Sequence, residues 1–350
     1  MNAKEIFKET VFGNPTRYSN NYEALLLTFS TPFFMHSPAC GYGQENVVDA
    51  WGVTNSWPLG TPGAFPVHTK EKVVIKDFGE WQDYVKFPNL DFPEEEWAPL
   101  VEQYNSIPKN NSYVAPFVAP GIFERLHHLG KMEDTLMAFY EYEDEVHDLI
   151  KAVTEWELKL AEGICSHIHP EAIFHHDDWG SMTSTFMSPA MFEEFFVDAY
   201  KEVYGYYKSH GVDMVVHHSD SYGATLVPAM IEMGINVWQG CTSTNNLPEL
   251  VKKYGDKITF MGGFDGAAID KSGITKEEIK KFVYEYIDSV GTPKGFIPCI
   301  AQGGPGSVYK NVYEYLWESI DEYNMDKMGA TEAEINDRLP RAVLFPGMMD

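Results

Sequence analysis

From about residue 112 onward the chain repeats one pattern: a short apolar run, a polar cluster, then a stretch with apolar residues at helical spacing. The apolar runs cover 113–119, 172–176, 214–218, 237–239, 258–261 and 296–299. Helical spacing marks 132–140, 143–162, 189–209, 224–233, 247–254, 276–290 and 308–323. Ser188 followed by Pro189 is a helix start, and Thr275 is a second N-cap. Short strands alternating with helices dictate a parallel sheet with right-handed crossovers. An open, doubly wound sheet would announce itself by a glycine-rich phosphate loop after its first strand. None is present, and the polar clusters sit instead at the C-terminal ends of successive strands, where a closed barrel keeps its chemistry. The expected fold is a single (β/α)8 barrel. Residues 1–110 are rich in Pro, Trp and Gly and read as loops and hairpins over the barrel mouth, with 111–350 as the regular part.

Bulk properties narrow the function. The 350 residues carry a net charge of -26 with only four arginines, Arg17, Arg125, Arg338 and Arg341. Phosphate-rich partners would be repelled, so nucleic acid and anionic membrane are excluded as ligands. No run approaches the roughly 20 apolar residues a membrane helix needs. The N-terminus, Met1-Asn2-Ala3-Lys4-Glu5, lacks an apolar signal core, and a soluble, cytoplasmic protein is expected. The four cysteines, Cys40, Cys165, Cys241 and Cys299, are widely spaced and form no CxxC pair. In that setting each is a core thiol, a metal ligand or a nucleophile rather than part of a disulfide framework.

Five strand ends hold the candidate chemistry: His175-His176-Asp177-Asp178, His217-His218-Ser219-Asp220, Gln239-Gly240-Cys241, Gly262-Gly263-Phe264-Asp265 and Pro298-Cys299. In a barrel they converge on one mouth. His, Asp and Cys together suit zinc with three protein ligands and an open position. Neighbours on a strand face opposite ways, so at least one ring of each His-His doublet is structural. One of Asp177 and Asp178 is expected to cap a turn. Cys165 reads as core, Cys241 and Cys299 as ligands or core thiols, and His127, His128, His167 and His169 as surface or helix-end groups. Trp51, Trp57, Phe65, Trp179 and Tyr222 lie in loops near the expected mouth and are candidates to line a pocket for a flat substrate.

Several stretches carry a family resemblance. Asp177-Asp178-Trp179-Gly180 with Met187-Ser188-Pro189-Ala190-Met191-Phe192 and Phe195-Phe196 is one. His218-Ser219-Asp220 with Leu226-Val227-Pro228 and Met233-Gly234-Ile235-Asn236 is another, followed by Lys252 to Phe260 and Gly262-Gly263-Phe264-Asp265. In order and spacing these resemble the uroporphyrinogen-decarboxylase-like superfamily, whose fold is a (β/α)8 barrel. The decarboxylases themselves bind an octa-anion through an arginine-rich N-terminal motif. Here Asn14-Pro15-Thr16-Arg17-Tyr18-Ser19-Asn20 holds one arginine, which disfavours that substrate.

The corrinoid-dependent methyltransferase branch is the better likeness. Its thiol-methylating members hold zinc on His-x-Cys plus a distant Cys; here the pattern is His218-Ser219-Asp220 with Cys299 at the distant position. Aspartate in place of thiolate leaves a harder Lewis acid, suited to an ether oxygen. Asp49-Ala50-Trp51-Gly52-Val53 and Pro62 to His68 are similar to the methyltransferase component of anaerobic aryl methyl ether O-demethylases. The resemblance implies methyl transfer from a methoxylated aromatic compound to cobalt(I) of a separate corrinoid protein. It implies zinc on His218 and Cys299, completed by Asp220 or Cys241, with Asp178, His176 and Asp220 as acid–base groups. A homodimer is compatible with it. The alternative is transfer from a methylated corrinoid protein to tetrahydrofolate or a thiol.

Overall fold

The computed structural model describes residues 1–61, 63–300 and 308–339; Pro62 and Arg341 lie outside the described residues. Seven parallel strands form one sheet in chain order. They are β1 (Leu25–Thr28), then, after a small antiparallel sheet of β2 (Val47–Val48), β3 (Thr54–Ser56) and β4 (Phe65–Pro66), β5 (Tyr113–Val118), β6 (Ala172–His176), β7 (Met214–His218), β8 (Val237–Cys241), β9 (Thr259–Phe264) and β10 (Phe296–Ile300). The Asn21 N–H donates to Pro298 O at 3.2 Å, so the chain entering β1 touches β10 and the sheet curls toward itself. The expected helix starts are present: Ser188 accepts from Met191 N, and Thr275 and Glu278 form a reciprocal capping box.

One strand lies where an irregular segment was expected. Leu25-Leu26-Leu27-Thr28 is only four residues long, too short to show an alternation of its own. A buried charge network holds it in place. Arg17 Nη1 lies 2.6 Å from Glu23 Oε1, and Arg338 contacts both Glu23 and Asp321 of the helix Val312–Met328. Asn20 adds bonds to Trp317 O and Asp321, and the Tyr18 N–H donates to Asn324 Oδ1. The N-terminal helix Ala3–Phe12 packs Ala3 and Phe7 into the apolar cluster that fills the sheet interior.

Side chains alternate across the curled sheet with the two-residue period of a strand. Ala172 and Phe174, Met214 and Val216, Val237, Met261, Ile297 and Cys299 fill the inside. Ile173, Val215, Trp238, Phe260 and Phe296 face the helices. By the same count His176 and His218 stand inside, while His175 and His217 face the helix layer. His175 Nε2 meets Glu157 at 3.0 Å. His217 accepts from the Tyr204 hydroxyl and donates Nε2–H to Asp177 O.

Asp177 ties this frame together. Its carboxylate accepts from Phe123 N and Glu124 N at 2.9 and 2.7 Å, from Trp179 Nε1 at 3.0 Å and from the Tyr200 hydroxyl. The helix Ile122–Gly130 begins at Gly121, which has no side chain to cap it, so Asp177 caps it from another strand. A Cβ on Gly121 would fall 2.6 Å from that of Asp177, which is why no larger residue fits there. Burial and the nearby Glu124 raise the Asp177 pKa to about 7, against the pull of its donors.

Two stability outcomes follow. Glu23→Gln leaves buried Arg17 without its counter-charge and should cost about 3–5 kcal/mol, measured by urea unfolding; a cost within experimental error would remove the network from its role. Asp177→Ala should cost about 3 kcal/mol or more, through a lost cap and two stranded buried donors. A denaturation midpoint equal to that of the wild type would show that the carboxylate is dispensable.

Candidate functional site

The inward residues at the ends of β6 and β7 meet. Ligand atoms of His176, Asp178 and His218 all lie within 4.8 Å of one another. The two imidazoles stack with centroids 4.5 Å apart and planes 19° from parallel. Each ring is fixed from behind: His176 Nδ1–H donates to Glu124 Oε2 at 2.8 Å, and His218 Nδ1–H donates to Gln239 Oε1. Both bonds leave Nε2 as the nitrogen open to a ligand, the arrangement by which outer partners set metal-binding histidines. Asp178 Oδ1 accepts the Asp220 N–H at 2.9 Å, which joins the two strand ends.

The electrostatics of the two rings differ. Burial alone would strip the proton from His176, but the Glu124 carboxylate outweighs it and lifts the pKa to about 10. Burial, helped by His176, pulls that of His218 down to about 4. Near neutrality His218 is therefore neutral with Nε2 free of a proton, while His176 also holds a proton on Nε2 that a metal ion would have to displace.

Aromatic rings flank the group. Phe117 and Phe174 stack at 5.7 Å; Phe117 lies 6.2 Å from His176, and Phe174 lies 5.8 Å from His218. Phe29, 61% exposed just past β1, packs edge-on against Phe117 at 5.4 Å. Phe117 and Phe174 thus set apolar rings beside the nitrogen and oxygen donors of the group.

The remaining candidates are placed as follows. Asp220 reaches the group through its backbone, and its carboxylate lies close enough to Tyr22 to act on that phenol. Burial first, then Cys299, Tyr313 and Asp220, raise the Tyr22 pKa. Cys299 is inside the sheet but three strands from β7, and its thiol donates to Ile300 O at 3.2 Å. It is not part of the three-residue group. Cys241, also expected as a candidate ligand, lies in the helix-facing core. Gly240, at φ +92°, makes a bulge between β8 and β9 that interrupts the alternation and turns Cys241 into the helix-facing core. Burial there raises its pKa.

Two of the aromatic candidates are buried. Trp179 is fully buried, stacked on His217 at 4.0 Å with its N–H on Asp177. Trp51 is buried against Trp156, with the Arg125 guanidinium 4.3 Å from its ring centre. Tyr222 is half-buried after β7, its N–H donating to Ser181 O.

Residue-by-residue reading missed Glu124, Phe117, Phe174 and Tyr22, and named Gln239 only as part of a strand end. Counting back two residues from His176 would have found Phe174. Glu124 arrives from a helix 52 residues earlier, and no local signal marks it. His127 and His128 do lie at a helix end, but they are half-buried rather than free on the surface.

The donor set fits a divalent metal such as zinc: two imidazoles with their far nitrogens tethered, and one carboxylate. A cleft of about 580 Å³, lined by Glu155, Lys159, Glu162, Glu202 and Tyr206 among others, lies on the outer helices and has no part in this group. No described helix is long and apolar enough to cross a membrane.

Comparison with known proteins speaks to the fold and the family. A methyltransferase from Methanosarcina mazei superposes with a TM-score of 0.61 at 13% identity, covering 92% of this chain and 99% of that one. At that identity the likeness speaks for the fold alone. D-psicose 3-epimerase, at TM-score 0.35, 11% identity and 71% and 81% coverage, is too loosely similar to carry an argument. So is a sugar phosphate isomerase/epimerase from Parabacteroides distasonis, at 0.36, 12%, 70% and 86%. No curated protein matches the sequence. The family model for uroporphyrinogen decarboxylase (URO-D) matches residues 118–323, and the chain belongs to that family.

Proposed function

We propose that the protein is a methyltransferase that takes a methyl group from a methoxylated aromatic compound and passes it to the cobalt(I) of a separate corrinoid protein. The observation that carries this reading is the His176–Asp178–His218 group, built of nitrogen and oxygen donors and set beside Phe117 and Phe174. The methyltransferase of similar fold agrees with it. Decarboxylation of a porphyrinogen octa-anion is disfavoured, because the three described arginines are all engaged internally. Arg17 is on Glu23, Arg125 is over Trp51, and Arg338 is on Asp321.

An aryl methyl ether resists attack because phenolate is a poor leaving group, so the site must stabilise charge growing on the ether oxygen. A zinc ion on His176, Asp178 and His218 would supply that Lewis-acid stabilisation. Phe117 and Phe174 would hold the arene flat and keep water from it. Glu124 and Gln239 keep the two imidazoles aimed, and the Asp220 N–H keeps Asp178 in place. Asp220, when protonated, would give its proton to the ether oxygen as the methyl group leaves, so that the phenol is released. The methyl carbon leaves oxygen for the partner's cobalt, whose electron pair forms the new bond, so this chain needs no nucleophile of its own.

The deciding experiment is phenol release from a panel of methoxyarenes with reduced corrinoid protein present. Release that stops when the corrinoid protein is omitted supports the proposal. No release, together with methyl transfer from a methylated corrinoid protein to tetrahydrofolate or a thiol, replaces it with the reverse reading. Gln239→Leu removes the tether on His218 and should weaken zinc binding roughly 10–100-fold without changing the thermal midpoint by more than a few degrees. Unchanged zinc affinity would show that His218 is not a ligand or needs no orienting partner.

A further inference from the structure

The helix Ile122–Gly130 places Glu124, His127 and His128 at positions i, i+3 and i+4, which share one helix face. Their ligand atoms all lie within 4.8 Å of one another, a second such group beside the first. It is sheltered: both histidines are half-buried, and Glu124 is 9% exposed. The turn that carries it is also clamped from outside. His68 Nε2–H donates to His128 O at 3.0 Å, and Val74 N and Ile75 N both donate to Leu129 O. His127 rests on Phe123 at 5.1 Å and meets His128 edge-on at 4.8 Å. A third group, Glu143, His147 and Glu194, has both carboxylates exposed and its imidazole stacked on Phe195, and it lacks such support.

We propose that Glu124, His127 and His128 bind a second divalent cation of the zinc type, next to the His176–Asp178–His218 group. Two imidazoles and one carboxylate make a three-ligand set that leaves a position open for water or an anionic oxygen. Donors around tetrahedral zinc stand about 3.3 Å apart, so the side chains close by little more than an ångström on binding. Glu124 belongs to both places, because the same carboxylate holds His176 Nδ1–H at 2.8 Å. One carboxylate thus couples the two groups, and loading one changes the partner available to the other. This inference does not rest on the methyl-transfer reading.

The test is metal titration of the full chain, stripped of metal, with Zn²⁺ by calorimetry and with Co²⁺ by visible absorption. Two variants divide the sites: His127→Gln with His128→Gln, and Asp178→Asn with His218→Gln. Glutamine is a good helix former, so the first variant should keep its helix, and circular dichroism verifies this for both. The expected result is two equivalents for the wild type and one for each variant, with about half of the Co²⁺ absorption remaining. Suppose instead that the wild type binds one equivalent, lost with His127 and His128 but kept without Asp178 and His218. The proposal then stands and the inner site is wrong. It is overturned if the His127/His128 variant binds as many equivalents as the wild type with affinity within twofold. It is equally overturned if the single equivalent disappears only with Asp178 and His218. Glu124→Gln, a smaller change, should weaken both sites at least 10-fold; a loss confined to the inner site would also count against the proposal.

Discussion

The carboxylate of Asp177 is the interaction on which the site depends. It gathers four donors from three parts of the chain: the first turn of the helix Ile122–Gly130, the indole of Trp179 and the phenol of Tyr200. Its backbone is engaged as well, with its N–H on His218 O and its carbonyl accepting from His217. A buried carboxylate is costly unless its lone pairs are filled, and here the filling does structural work. It fixes the helix that carries Glu124, Glu124 fixes His176, and His176 stacks on His218. A displaced Asp177 would be felt along this chain of contacts, at His176 and His218.

The doublets His175-His176 and His217-His218 show how one strand end serves two layers. The two-residue period sends His175 and His217 outward, where Glu157 and Tyr204 satisfy them, and sends His176 and His218 inward to one another. The outward pair anchors the helix layer to the sheet. The inward pair is held by Glu124 and Gln239, from two further elements. Thus the inward rings are oriented by residues remote from them in sequence.

The scarcity of arginine has a structural side. With a net charge of -26, each arginine is a strong local counter-charge, and the described ones are used inside the protein. Arg17 and Arg338 share Glu23 and draw the chain before β1 onto the last long helix. A chain that uses its cations to hold its own ends has none of these left to grip a polyanion. Membership of the URO-D family therefore speaks for a scaffold here and does not by itself name the chemistry.

Much of this was legible in the linear text, because strand alternation and helix caps are local. The six regular strands from β5 onward, the Ser188 and Thr275 caps and the split roles within each histidine doublet all follow from spacings of a few residues. β1 was not legible, since four apolar residues carry too little pattern. Nor was the orientation of Cys241: simple alternation would point it inward, and the bulge at Gly240 reverses it. Trp179 sits in a polar motif yet is buried, because Asp177 and His217 claim its N–H and its face. What the sequence alone determined was the order of elements and which side chains end each strand. Which of those side chains meet, and that Glu124 and Gln239 hold them, was decided only when the sheet curled and packed. Contacts across 21 and 52 residues depend on that packing, and no local spacing encodes it.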